Sequence, residues 1–429
     1  MEMENNLPKG WANAKLKDLC DLVYGKGLLT KFLTEEGYPV YGANGIIGKY
    51  SKYIYKEPQV IISCRGAASG VIHKTIPYSF VTSNSIVLQL NSKAIDLDYF
   101  QKSIMSVDRS KIVTGSAQPQ ITIENLNDLE FPIAPLSEQH RIVAKLDAVM
   151  QKVESNKQRL DKIPKLLKRF RQSVLAAAVS GKLTEDWRGK NGIVDDWEEK
   201  RIDELFKVKT GITPLRSNES YYKDGTIPWA KTGEVKNRDI FEIEERITQK
   251  AIDETGIKIF PVNSILIAMY GEGKTRGSVG RLKIPSTTNQ ACAVLINEEI
   301  DFITNQFVFL FLLSQYEEMR SVAVGGVRPN LNLDKIKSIV LNLPEVEEQK
   351  EIVRIIEQLF VFADKIEARY TKAKIMLDKL PQSILAKAFR GELVAQDPND
   401  EPASVLLERI KAEKEKLAVE KKGKKTNKK

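Results

Sequence analysis

The sequence predicts an α+β chain in which two mixed, strand-rich domains alternate with two long helical regions as an internal repeat. Three observations predict it. The stretch from Glu138 to Leu183 occurs twice, without a gap, 210 residues apart. Within that stretch apolar residues recur in alternating steps of four and three. Outside it, short apolar runs are separated by turns rich in glycine and asparagine.

The helical copies come first, because self-similarity at a fixed offset constrains the architecture before any local feature does. Glu138-Gln139 recurs as Glu348-Gln349, Ile142-Val143 as Ile352-Val353, Leu175-Ala176 as Leu385-Ala386, and Gly181 as Gly391. The first seam runs through Ile142, Leu146, Val149, Val153, Leu160, Leu167, Phe170 and Val174, with Asn156 as its polar interruption. The second runs through Ile352, Ile356, Leu359, Ile366, Leu377, Leu380 and Ile384. This is the heptad rhythm of helices that pack along one stripe, and two matched seams most simply bury against each other. Pro164 and Pro381 interrupt the pattern, so each arm is expected to be bent or split. Gly181 and Gly391 stand where a left-handed C-terminal cap belongs.

The domains before each helix also begin alike. Trp11, Leu16, Leu19 and Gly25 recur 186 residues later as Trp197, Ile202, Leu205 and Gly211. The offset therefore grows from 186 to 210, which places 24 extra residues inside the second domain. Strands are predicted at Val60–Ile62, Ser85–Leu90, Ser264–Met269 and Ala291–Ile296, and helices at Tyr99–Val107 and Asn305–Arg320. Each domain closes with a related loop, Gly115–Gln120 or Gly325–Asn330, and a proline-bounded exit. The expected boundaries are 1–134 and 196–343 for the strand-rich domains and 135–195 and 344–396 for the helical regions. Residues 397–429 form a charged C-terminal helix, ending near Val419, and a basic tail disordered from Lys421.

At 429 residues the chain is too long for one core. Its 42% hydrophobic and 29% charged residues are those of a soluble globular protein. No apolar run is long enough to span a membrane or follows a basic start, and three scattered cysteines fit a reducing cytoplasm. With only His73 and His140 and no paired cysteines, no zinc cluster can be built. Of the net charge of +9, +6 sits in residues 411–429. A second basic concentration lies at Lys157–Arg171. Both could neutralise phosphates, and both also suit a solvated helix face.

Catalytic signatures are weak. Ala268–Thr275 loosely matches a phosphate loop, but the residues after it, Arg276 to Gly280, are poor helix material, and a basic, glycine-rich hairpin tip is the better reading. Glu234-Val-Lys236 after Asp224 has nuclease-like spacing, in a chain where such triplets are frequent. No Asn/Asp-Pro-Pro-aromatic methyltransferase motif is present. The chain reads as a binder.

The run from Lys168 to Thr184, the Pro-Leu-x-Glu-Gln motif at 135–139 and the stretch Asp400–Leu407 resemble the DNA-specificity subunit of type I restriction–modification systems. The resemblance covers nearly the whole chain and is most specific in the helical copies. It implies two target-recognition domains, each reading half of a split DNA site, on an internal pseudo-twofold frame. It also implies antiparallel coiled-coil pairing of the helices as a spacer. The expected partners are double-stranded DNA, two methyltransferase subunits and restriction/translocase subunits, with no membrane. This chain would hold no catalytic residue, metal or cofactor; S-adenosylmethionine, ATP and Mg are expected on the partner subunits.

Candidates for base or phosphate contact are the polar and basic residues beside glycine turns. They are Lys49, Arg65, Ser83, Asn84, Gln118 and Gln120 in the first domain. In the second they are Lys231, Lys274, Arg276, Asn289, Arg328 and Asn330. Arg and Lys suit guanine and phosphate, while Asn and Gln suit adenine. Two alternatives stand beside this reading: the recognition part of a single-chain modification or restriction enzyme with its own catalysis, and a helical scaffold with no DNA role.

Overall fold

A computed structural model describes residues 7–115, 119–193, 197–271, 275–298, 300–321 and 331–426. The chain packs as two compact units, one of residues up to Asp161 together with those from Lys372 onward, the other of Lys162–Thr371. The boundaries expected from sequence follow the chain; the units follow packing, and their limits fall inside the helical regions.

In the first unit, strand Ala12–Lys15 pairs antiparallel with Glu130–Ile133, so the start and exit of the strand-rich domain are zipped together. A four-stranded sheet has the order Cys20–Tyr24, Ser85–Leu90, Val60–Ser63, Ile72–Lys74. A smaller sheet is built from the hairpin Tyr38–Gly42 and Gly45–Tyr50 and from Phe80–Val81, which runs parallel to the first hairpin strand. Val60 and Ile61–Ile62 are fully buried, as a central strand covered on both faces requires. The helix Leu97–Ser106 starts on Asp96, whose carboxylate accepts the Tyr99 amide at 2.8 Å. Tyr99 is buried because its hydroxyl is satisfied, donating to Pro132 O and accepting from Ala134 N at 3.1 Å each.

The second unit repeats this plan. Glu198–Arg201 zips with Val340–Leu343, and the sheet order is Lys207–Thr210, Cys292–Ile296, Ile265–Ala268, Val279–Leu282, Arg238–Ile240. A small sheet again places Thr287–Thr288 parallel to Ile227–Ala230. Its fifth strand, Arg238–Ile240, has no counterpart among the described residues of the first unit. Tyr41 corresponds to Ala230, an offset of 189, and Val60 to Ile265, an offset of 205, so most of the extra residues lie between these strands. The helix Phe302–Ser314 is apolar on nearly every side and correspondingly buried.

The first helical copy is split into Leu136–Leu160 and Ile163–Val179. Pro164 lies in the first turn of the second piece, where its missing N–H costs nothing. The second copy is not split: one helix, Val346–Ala388, runs through Pro381. Gly181 and Gly391 cap the copies with φ of 75° and 74°. In the first unit Ile142, Leu146 and Val153 share a core with Ile384 and Leu385, with Val149 and Leu377 packed against it. Ion pairs link Lys157 to Asp378 at 3.4 Å and Asp161 to Lys374 at 3.5 Å. In the second unit Val174, Ile352 and Ile356 share a core flanked by Phe170 and Leu359, and Arg171 pairs with Asp364 and Glu367. Leu160 and Ile366 are half-buried and Leu167 is buried. Leu380 departs from the expected seam: it is 39% exposed.

Each helical copy is bolted to its own domain by the repeated Glu-Gln. Trp11 Nε1 donates to Glu138 and Trp197 Nε1 to Glu348, both at 3.0 Å. The adjoining glutamines reach back to the chain before the helix, Gln139 to Ala134 O and Gln349 to Pro344 O. The C-terminal helix Ala403–Thr426 docks on the first domain through Ala403, Leu406 and Ile410, with the Ala403 amide on Gly10 O at 2.8 Å. It runs past the expected end near Val419, and residues 421–426, expected to be disordered, are helical.

Candidate nucleic-acid interface

One edge of the first domain is made where the loops between sheet strands meet. The Cys64 amide donates to Asn84 O at 2.9 Å, and the Ser83 amide to Lys26 O at 3.2 Å. Arg65 bridges to Gln120, whose neighbour Pro119 accepts from the Gly66 amide at 3.1 Å. Arg65, Ser83, Asn84 and Gln120 are thus drawn from three separated stretches into one polar row, each exposed or half-exposed. Lys49 does not join it: it sits along the hairpin strand opposite Pro39, with its carbonyl on the Thr34 amide. Gln118 lies outside the described residues.

Gly25 makes the close approach possible. A Cβ there would lie 2.1 Å from Thr82 O, and at the equivalent Gly211 it would lie 1.8 Å from Thr288 O. Only glycine fits either place. The next residue then bonds to the small sheet, Lys26 to Val81 O and Ile212 to Thr288 O.

The second domain builds the same edge with other side chains. The Asn289 amide donates to Ala230 O and Met269 to Ala291 O, matching Thr82 to Tyr41 O and Cys64 to Asn84 O. Register therefore sets Ile212 in the place of Lys26, Tyr270 in that of Arg65, Gln290 in that of Ser83 and Ala291 in that of Asn84. Asn289 turns its own side chain inward to accept the Ala291 amide at 3.2 Å. Lys231 lies next to Ala230, but its ammonium is 2.5 Å from Glu245. The Arg216 hydrogen bond, helped by Lys231 and opposed by burial, holds that carboxyl below its usual value. Arg276 lies on the connection between Ile265–Ala268 and Val279–Leu282, its Nε enclosed without a hydrogen-bond partner among the described residues. Lys274, Arg328 and Asn330 lie outside the described residues. Lys26, Tyr270 and Gln290 were missed; the repeated Gly25/Gly211 and the domain offset are the signals that could have found them.

The family profile described as Type I restriction modification DNA specificity domain matches residues 8–165 and 194–376. The chain belongs to the type I restriction–modification DNA-specificity family. It is 30% identical to the Type I restriction enzyme StySPI specificity subunit of Salmonella potsdam, over 95% of this chain and 96% of that one. It is 31% identical to the EcoKI specificity subunit of Escherichia coli K12 over the same shares. The fold is also that of the HsdS subunit from Thermoanaerobacter tengcongensis, with a TM-score of 0.61 at 18% identity over 91% of this chain and 99% of that one.

Within this type I specificity fold, the stretches that hinted at other chemistry have local structural roles. Strand Ile265–Ala268 turns back antiparallel as Val279–Leu282, so no helix succeeds it to hold a phosphate, although residues 272–274 lie outside the described residues. Glu234 accepts the Lys231 and Glu244 amides at 2.9 Å each, closing a turn. Burial pushes all three thiols up, Cys292 to about 12, so none is a poised nucleophile. Among the described residues no group of three or more His, Cys, Asp or Glu converges to hold a metal ion, and no helix is long and apolar enough to cross a membrane.

Proposed function

We propose that this chain is the DNA-specificity subunit of a type I restriction–modification complex, with each strand-rich domain reading one half of a bipartite duplex site. The observation that carries this reading is the pair of edges: one backbone scaffold, built twice, with Lys26, Arg65 and Asn84 replaced by Ile212, Tyr270 and Ala291. A scaffold kept constant while its exposed residues change is what two readers of unlike half-sites require. The helical regions pair antiparallel along their seams and set the spacing between the readers. Methyltransferase and restriction/translocase subunits supply the chemistry together with S-adenosylmethionine, ATP and Mg, and this chain itself catalyses nothing.

Exchange of residues 196–343 for the matching domain of a relative tests the modular reading. Sequencing of methylated adenines in cells carrying the hybrid and its partner subunits should show one half of the motif changed and the other kept. Change in both halves, or in neither, overturns it. Adenine methylation of a plasmid by the purified chain with methyl donor alone would overturn the assignment of chemistry to partners.

A further inference from the structure

The polar edge of the first domain is bordered by two exposed apolar residues. Ile46 and Ile47, just past the Gly42–Gly45 turn, are 58% and 45% exposed. Neighbours on a regular strand point to opposite faces, so an exposed pair needs a cause. The cause is a slip in register: Tyr41 pairs with Ile46 but Val40 pairs with Gly48, leaving Ile47 as an extra residue. Such bulges re-aim side chains and are over-represented beside functional sites. Ile47 is seated on Gly42, where a Cβ would come within 2.9 Å of its Cγ2.

The turn that carries the pair is tied to the edge. Ser63 Oγ donates to Ala43 O, and Ser85 Oγ to Gly42 O at 3.3 Å. Arg65 lies two residues beyond Ser63, and Asn84 adjoins Ser85, so the isoleucines extend the row of donors and acceptors with an apolar segment. The second domain differs here. Beyond Ala230 its chain enters the turn at Lys231–Glu234, and Val235 is buried.

The major groove presents one apolar feature, the thymine methyl group, and apolar side chains read it. Resting on the DNA-specificity reading above, we propose that Ile46 and Ile47 recognise the 5-methyl group of a thymine in the half-site of the first domain. Arg65, Asn84 and Gln120 then read hydrogen-bonding edges, while the isoleucines discriminate thymine from cytosine and uracil by shape and desolvation.

The assembled complex tests this on duplexes carrying its own methylated sequence. Each thymine of the half-site that survives exchange of residues 196–343 is replaced in turn by deoxyuridine, which removes only the methyl group. One replacement should weaken binding by about fourfold, the scale of one buried methyl group. The Ile46→Ser/Ile47→Ser variant should bind the natural duplex more weakly by a similar factor and be insensitive to that replacement. Wild-type affinity unchanged by every replacement overturns the proposal, and so does a variant that keeps the full sensitivity. A variant with unaltered DNA affinity that no longer co-purifies with its methyltransferase partners also overturns it, marking the pair as a protein-docking surface. If the wild-type complex does not prefer its methylated sequence over a scrambled duplex, the DNA-specificity reading itself falls. Intact preference without deoxyuridine sensitivity removes the thymine contact alone.

Discussion

The anchors at the starts of the two helical copies share a glutamate and a tryptophan but differ in what surrounds the carboxylate. Glu348, 2% exposed, accepts from Trp197 on one oxygen and from Thr184 and Arg188 on the other, both of the latter at 2.5 Å. Glu138, 1% exposed, accepts from Trp11 on one oxygen, and its other oxygen is enclosed without a partner among the described residues. The difference comes from the chain just beyond each capping glycine. After Gly181 the chain forms the helix Glu185–Asn191, which delivers Arg188; after Gly391 it turns through Asp397–Asp400 and delivers an acid. Asp400 is paired to Arg141 and adds its negative field to Glu138. The repeat thus carries the same residue twice in unlike electrostatic surroundings.

The largest expected effect separates the two glutamates. Glu348→Ala removes the buried carboxylate on which Trp197, Thr184 and the Arg188 guanidinium converge and should cost about 3–5 kcal/mol. Glu138→Ala leaves only the Trp11 N–H unpaired and should cost about 1–3 kcal/mol. Denaturant unfolding, with hydrogen exchange assigning the loss to a unit, measures both; equal costs would erase the contrast.

Removing the tryptophan donors should reverse the order. Trp11→Phe strips Glu138 of its hydrogen bond and should cost about 1–3 kcal/mol, whereas Trp197→Phe leaves Glu348 with Thr184 and Arg188 and should cost about 1 kcal/mol. A larger loss at Trp197 in the same unfolding assay would show that ring packing, not the carboxylate, sets these energies.

The smallest effect is one of pH. Burial, with Asp400 as a lesser contributor, raises the Glu138 carboxyl above its ordinary value of 4.5. A raised carboxyl contributes stability that is fully present below the ordinary value and lost as pH rises through the folded one. Glu138→Gln, uncharged throughout, should therefore match the wild type below pH 4.5 and gain on it as pH rises through the shifted value. Unfolding midpoints across that range check this, and a constant difference would refute it.

Much of the plan was legible because its signals are local or repeated. Heptad spacing, alternating apolar runs and a fixed offset depend on neighbours along the chain, so both helical copies and the strands at Val60, Ser85, Ile265 and Cys292 could be read directly. The candidate edge was only partly legible. Its composition depends on bonds across the chain, such as Cys64 to Asn84 and Ser83 to Lys26, which no spacing rule encodes. Lys49, a candidate because it follows a glycine turn, lies along the hairpin strand opposite Pro39, while Lys26 and Tyr270 went unnoticed. The C-terminal helix outran its expected end because docking of Ala403, Leu406 and Ile410 supplies the nucleus, after which each added residue extends it readily.

The composition of the first unit bears on the order in which the protein is made. Its core joins residues such as Trp11 and Ile142 to Ile384, Ala403 and Leu406, and Arg141 pairs with Asp400 across 259 positions of chain. The second unit is one continuous segment, Lys162–Thr371. On the ribosome the first domain to emerge must therefore wait, its apolar surface incompletely covered, until the whole second unit has been synthesised. The later-born unit is the one able to close first. A ribosome that stalls near Thr371 would release a chain whose damage lies at its beginning, where the missing helix belongs.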